Sequence, residues 1–129
     1  MAKIVVLDDQ PDICLSIKCC LTSIGHSVQI AHSGDEAIDF AYLFKPDVLI
    51  TDWNLHSDYD GLEVAEAFHA ANKQIKTILI SGYICDALNK QVAEATVFQS
   101  LRKPFSMDKL VMIVDDAIRL NADCPFSLN

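Results

Sequence analysis

The sequence predicts one α/β domain, a doubly wound sheet of five parallel strands flanked by five helices. Short apolar runs, most of them β-branched, recur along the chain at KIVVL (3–7), SVQIA (27–31), DVLIT (47–51), TILIS (77–81) and, more weakly, VFQSL (97–101). Segments with helical spacing fill the intervals, so consecutive strands are joined by crossovers, and the right-handed crossover rule makes the sheet parallel with helices on both faces. The runs are continuously apolar rather than alternating, as strands covered on both faces must be.

The helices follow in order. Ile13, Ile17, Cys20, Leu21 and Ile24 keep helical spacing, and Gly25 supplies the stop. Ser33-Gly-Asp-Glu36 is a capping-box pattern that opens a second helix reaching about Phe44, and Pro46 closes it. A third helix covers 62–72, with Leu62, Ala65, Ala67 and Phe68 toward its buried side. The fourth, at 86–94, is polar and weakly patterned. Ser106 caps a fifth, where Leu110, Ile113, Val114, Ala117 and Ile118 line one stripe. The domain is expected to span residues 1–121, with 122–129 as a short tail in which Pro125 would interrupt continued helix.

At 129 residues the chain fits one compact domain and is too short for two. Hydrophobic residues make up 51% and charged residues 22%, a globular balance rather than a disordered one. No apolar run approaches the ~18 residues that span a bilayer, and MAKIVVLDD lacks the pattern of a signal peptide, so a cytoplasmic location and no membrane partner are expected. A net charge of -8 with no dense basic block disfavours attraction to phosphate backbones, and direct nucleic-acid binding is not expected. The five cysteines, at 14, 19, 20, 85 and 124, lack metal-ligand or C-x-x-C spacing and read as packed or half-exposed thiols. His26, His32, His56 and His69 share no ligand spacing and read as surface or loop residues.

Ligands of an open parallel sheet bind beyond the carboxyl ends of its strands. There the sequence places Asp8 and Asp9 after the first strand, Asp52 at the end of the third, Ser81 at the end of the fourth, and Lys103 with Pro104 after the fifth. Three carboxylates held close would repel and raise one another's pKa values unless a cation sat among them. Oxygen-only ligands point to Mg²⁺, which takes a few carboxylates and keeps several waters. Asp52 can then bind metal through one oxygen while the other attacks phosphorus.

This pattern resembles the receiver domain of two-component response regulators, a flavodoxin-like fold, over about residues 3–120. The residues that carry it are Asp8-Asp9, Asp52, Ser81-Gly82 and Lys103-Pro104-Phe105, each in the expected place. The resemblance implies transfer of a phosphoryl group from a phosphohistidine, on a sensor histidine kinase or a histidine phosphotransfer protein, to Asp52. It implies that Asp9, Asp52 and the backbone carbonyl of Asn54 ligate Mg²⁺ and that Asp8 acts through water. Ser81 and Lys103 would each hold a phosphoryl oxygen, and the Lys103–Pro104 peptide would be cis. The chain would be a stand-alone phosphoacceptor rather than a turnover enzyme, promoting only its own phosphorylation and dephosphorylation. Its signal would pass to a downstream protein at the face made by helix four, strand five and helix five.

Two departures stand out. The loop after the acceptor, Asp52-Trp-Asn-Leu-His-Ser-Asp-Tyr-Asp60-Gly61, is one residue longer than the family's usual form and has His56 in place of proline, with Gly61 left to make the turn into helix three. Ser100 stands where the family commonly has an aromatic switch residue, and Phe98 is expected to pack in the core. Trp53 and Tyr83 would flank the mouth of the site, where they shape water access or serve as amphipathic surface aromatics.

Other readings remain open. A haloacid dehalogenase-type phosphatase also uses an aspartate nucleophile with Mg²⁺, but it needs an acid two positions on, where this chain has Asn54. A flavodoxin-like cofactor carrier would need a phosphate cradle where this chain has DDQPD. A receiver-like docking module that takes no phosphate would have no use for all of Asp8, Asp9, Asp52, Ser81 and Lys103.

Overall fold

Five strands form where the apolar runs lie: β1 (Lys3–Leu7), β2 (Ser27–Ala31), β3 (Val48–Asp52), β4 (Lys76–Ser81) and β5 (Val97–Arg102). The computed structural model describes residues 2–53, 61–81 and 97–123. Within them lie helices α1 (Pro11–Ser23), α2 (Gly34–Leu43), α3 (Gly61–Ala71) and α4 (Met107–Asp123). The helix expected at 86–94 lies outside the described residues, so α4 is the segment that the sequence pattern counts as fifth. It runs to Asp123, past the expected domain end at 121. Among the described residues, no helix is long and apolar enough to cross a membrane.

The strands are all parallel, in the order β2-β1-β3-β4-β5. Both faces are covered, which is why the strands read as unbroken apolar runs. Alternate strand residues feed two cores. Ile4, Val6, Val48, Ile50, Ile78, Ile80 and Leu101 meet Cys14, Ile17 and Leu21 of α1 and Leu110, Ile113, Val114 and Ala117 of α4. Val5, Leu7, Leu49 and Leu79 meet Ala37 and Ala41 of α2 and Leu62, Val64, Ala65 and Phe68 of α3.

The helix phases differ in places from the expectation. On α1 the buried stripe is Cys14, Ile17 and Leu21. Cys20 is half-buried, and Ile24 is exposed because it is the C-cap, already out of helical geometry. On α3, Val64 is buried and Ala67 sits at the rim of the stripe. The helix ends follow their signals. Pro11 opens α1, and Gly25, with φ of 101°, lets its N–H donate to the Thr22 carbonyl while His26 N donates to Leu21 O. Ser33 Oγ accepts from Glu36 N at 3.1 Å, and the Glu36 carboxylate turns back to accept from His32 N at 2.7 Å, one residue earlier than the usual capping box. Ser106 Oγ caps α4 by accepting from Lys109 N at 3.2 Å.

β3 begins one residue later than expected, because Asp47 has other work. Its carboxylate accepts from Lys3 N at 3.0 Å, its N–H donates to Lys3 O, and its carbonyl accepts from Lys76 N, tying the starts of β1, β3 and β4 together. On β5 the register slips: Thr77 pairs with Val97 but Ile78 pairs with Gln99, so Phe98 is an extra residue in a bulge. The bulge turns Phe98 toward the α1/α4 core, against which it packs half-buried, as expected.

Candidate functional site

The two-residue period of a strand assembles the site. Val6, Ile50 and Leu101 all point into the α1/α4 core. Two positions further along each chain come Asp8, Asp52 and Lys103, which therefore emerge on that same face at the carboxyl edge of the sheet. Of the five side chains expected to converge there, Asp8, Asp52 and Lys103 are brought into contact. Lys103 Nζ stands 3.3 Å from Asp52 Oδ2 and 3.3 Å from Asp8 Oδ2.

Both acids are largely buried, Asp8 to 7% and Asp52 to 9% exposure, so neither can rely on water alone to support its charge. Lys103 supplies that support. It donates a long hydrogen bond, 3.3 Å, to Asp52 Oδ2. Toward Asp8 Oδ2 it is at ion-pair distance without hydrogen-bond alignment, which leaves that buried oxygen without a hydrogen-bond donor among the described residues. Burial, the largest influence on the ammonium, pulls its pKa down, but the charges of Asp8 and Asp52 outweigh it and hold Lys103 above its ordinary value.

The surrounding backbone is fixed. Asp8 Oδ1 accepts from Gln10 N at 2.9 Å, and the Cys14 thiol donates to Asp8 O at 3.4 Å. Burial, and then the negative charge of Asp8, push that thiol up to about 11, which disfavours the reactive thiolate. Trp53 N donates to Ile80 O at 2.7 Å, and Lys103 N donates to Ser81 O at 2.8 Å, locking the ends of β3, β4 and β5 in sequence. Ser81 is buried at the end of β4, Asp9 is exposed beside Asp8, and the Lys103–Pro104 peptide is cis, as the resemblance implies. Trp53 is half-buried and packs on the α2/α3 core. Asn54, His56, Gly82 and Tyr83 lie outside the described residues.

Two features of the site escaped the sequence reading. Cys14 was not among its candidates, although its position six residues after Asp8 in a helix entering beneath the strand end is a usable signal once the helix phase is known. The second is an apolar groove beside Lys103, lined by Ile13, Pro104, Phe105 and Met107 with Asp12 and Ser16 at its polar edge.

The donor set suits a hard divalent cation. Asp8, Asp9 and Asp52 offer only oxygens, and among the described residues none donates a hydrogen bond to the buried Asp8 Oδ2. Among the described residues, no group of three or more His, Cys, Asp or Glu side chains could by itself hold a metal. Oxygen-only donors fit a hard ion that takes few protein ligands and keeps its waters, which is the habit of Mg²⁺ and not of Zn²⁺.

The sequence model of the response regulator receiver domain matches residues 4–115. The nitrogen assimilation regulatory protein NtrX of Azorhizobium caulinodans is 28% identical over 120 residues, covering 89% of this chain and 26% of that protein. The response regulator MprA of Mycobacterium avium is 30% identical over 111 residues, covering 84% of this chain and 47% of that protein. The chain thus spans less than half the length of these curated relatives. A CheY-like response regulator receiver domain protein from Methanospirillum hungatei superposes with a TM-score of 0.89 at 22% identity, covering 95% of this chain and 98% of that one. A response regulator receiver domain protein from Clostridium thermocellum does so at 0.82 and 26%. With the family match running from β1 into α4 and the acidic strand ends in place, the chain belongs to the response regulator receiver domains of two-component signalling systems.

Proposed function

We propose that Asp52 accepts a phosphoryl group from a phosphohistidine on a sensor histidine kinase or histidine phosphotransfer protein. The observation that carries this reading is the shared ammonium: Lys103 Nζ at 3.3 Å from both Asp52 and Asp8 at the carboxyl edge of the sheet. An Asp52 oxygen forms the new bond to phosphorus as the donor's N–P bond breaks. The imidazole leaves with the electron pair and takes up a proton, and the product is an acyl phosphate. Lys103 then turns from the carboxylate to a phosphoryl oxygen, and the Ser81 hydroxyl donates to another, offsetting charge that develops during transfer. Asp9, Asp52 and the Asn54 carbonyl would hold Mg²⁺, with Asp8 acting through water. The ion would supply charge neutralisation between the carboxylates and the incoming phosphoryl oxygens.

Asp52 suits the acceptor role because it ends β3, whose pairing with β4 holds its backbone at the carboxyl edge of the sheet. Adding a dianion at Asp52 gives the differential contacts that a population shift requires. The shift would be read by a downstream protein at the face formed by the 86–94 segment, β5 and α4.

Incubation with Mg²⁺ and acetyl phosphate, followed by intact mass, tests the reading. One added phosphoryl group is expected in the wild type and none in Asp52→Ala or in EDTA. Equal uptake by Asp52→Ala, or none in the wild type, rejects it. Many turnovers on a generic phosphate monoester would favour a phosphatase instead.

A further inference from the structure

Gly61 is buried at the start of α3, and the space where a side chain would go is already taken. A Cβ built on its backbone would press into the Asp52 carbonyl oxygen and would stand 3.0 Å from Trp53 Cα and 3.0 Å from Leu79 Cδ1. Two of these three neighbours are backbone, which cannot swing aside as the end of a side chain can. That backbone is also held from several directions. Trp53 N donates to Ile80 O at 2.7 Å on one side, Gly61 N donates to Trp53 O at 3.0 Å on the other, and Thr51 Oγ1 donates to Asp52 O at 3.1 Å.

We propose that Gly61 is a positioning residue for Asp52, letting α3 close onto the end of β3 and so setting where the carboxylate stands relative to Lys103. The inference rests on the reading of Asp52 as phosphoacceptor and deepens it. The pair at stake is tight, with Asp52 Oδ2 3.3 Å from Lys103 Nζ, and Lys103 is anchored separately through its own N–H to Ser81 O. A displacement of the Asp52 peptide is therefore not followed by its partner. Misplacing a reacting group by ~1 Å costs on the order of 100-fold in rate. Leucine at 79 makes the effect separable, because its contact is with a side chain while the other two are not.

The test compares wild type, Gly61→Ala, Leu79→Val and the double variant by three measurements: melting temperature, emission of Trp53, and rate of phosphoryl uptake from acetyl phosphate with Mg²⁺. Trp53 is the chain's single tryptophan, so its emission reports the peptide next to Asp52. Gly61→Ala should melt lower, shift the emission and take up phosphate on the order of 100-fold more slowly. In the Leu79→Val background the melting penalty of Gly61→Ala should shrink while the rate penalty persists, since the backbone contacts remain. A wild-type rate with unchanged emission in Gly61→Ala overturns the proposal. So does a rate that recovers together with the melting temperature, which would make Gly61 a packing residue only. If Gly61→Ala does not fold, hydrogen exchange in the wild type decides: Trp53 and Gly61 amides protected like those of β3 support the clamp, and exchange at loop rates ends it. If the wild type takes up no phosphate, the reading of Asp52 fails, while the emission and exchange measurements still judge the clamp.

Discussion

Lys45 holds a left-handed backbone, φ 54°, directly after α2, and Gly25 holds one of 101° after α1. The same job is done by two residues of very different suitability, since a Cβ in that region costs ~1 kcal/mol. Nothing lies within 4 Å of a Cβ built at Gly25, so Gly25→Ala should cost ~1 kcal/mol from the backbone alone. Lys45→Gly should stabilise by ~0.5 kcal/mol, the relief being partly offset by the greater freedom of glycine in the unfolded chain. Urea midpoints of the two variants should move in opposite directions, and a shared direction would mean that contacts, not φ, govern both ends. Gly25 was legible in the sequence because glycine advertises this conformation; a lysine before proline does not. His26 makes a second point at this scale. Its Nδ1 accepts from Ala2 N at 3.1 Å, which requires an unprotonated nitrogen. Its pKa lies below the ordinary 6.5, lowered first by burial and then by the positive N-terminus, with Asp115 opposing. The unfolded chain therefore binds this proton first, and the stability His26 contributes is complete above about pH 6.5 and is lost as pH falls toward the lower folded value. Urea unfolding at pH 7.5 and 5.5 should show a smaller loss in His26→Gln than in wild type, and parallel losses would remove His26 from the account.

At the scale of elements, the apolar runs revealed the strands but not the bulge. VFQSL reads as five residues of plain strand, whereas the slip between Thr77 and Ile78 leaves Phe98 and Gln99 where a regular ladder has one residue. One residue of slip reverses which face each earlier position serves. Ser100 illustrates the consequence: it pairs with Leu79 of the α2/α3 core, while Leu101 beside it pairs with Ile80 of the α1/α4 core. Phe98 joins the latter only because of the bulge, and Lys76 Nζ lies 5.8 Å from its ring centroid. Phe98→Ala should thus destabilise by ~2 kcal/mol, less than a fully buried phenylalanine because the ring is half-exposed. Phe98→Leu should recover most of that. Chemical denaturation measures both, and a cost within ~0.5 kcal/mol of zero would show the bulge to be idle. Capping, by contrast, was readable, since Ser33 and Ser106 each announce a helix start by residue type. Only the turn-back of Glu36 to His32 instead of Ser33 needed coordinates, because a long side chain can reach either N–H.

For the molecule as a whole, the decisive feature is how an acidic chain tolerates carboxylates gathered at one edge. The residues of that edge were legible because parallel topology fixes which end of each strand is shared, and a period of two fixes the face. The contacts of Lys103 with the carboxylates were not legible: the resemblance implies a role toward a phosphoryl oxygen, which stands as proposed above, and the structure adds that its ammonium lies 3.3 Å from both Asp8 and Asp52. If a divalent ion binds these oxygens as proposed, an ammonium so placed competes with it. Removing it should therefore have opposite effects in the two conditions. In EDTA, Lys103→Met leaves two largely buried carboxylates without their counter-charge and should cost about 1–3 kcal/mol, reduced from the fully buried case by the partial exposure of the lysine. With Mg²⁺ in millimolar excess, the variant should recover more stability than wild type gains, because an ion that binds only the folded state stabilises it by RT ln(1 + [L]/Kd), and Kd falls when a like charge leaves the site. Phosphoryl uptake should stay low even so, since the ion restores charge balance but not the donor to the phosphoryl oxygen. Thermal melts across a Mg²⁺ titration separate the two effects. A larger Mg²⁺ increment in Lys103→Met than in wild type supports the competition, and equal increments would place the ion and the lysine on different oxygens.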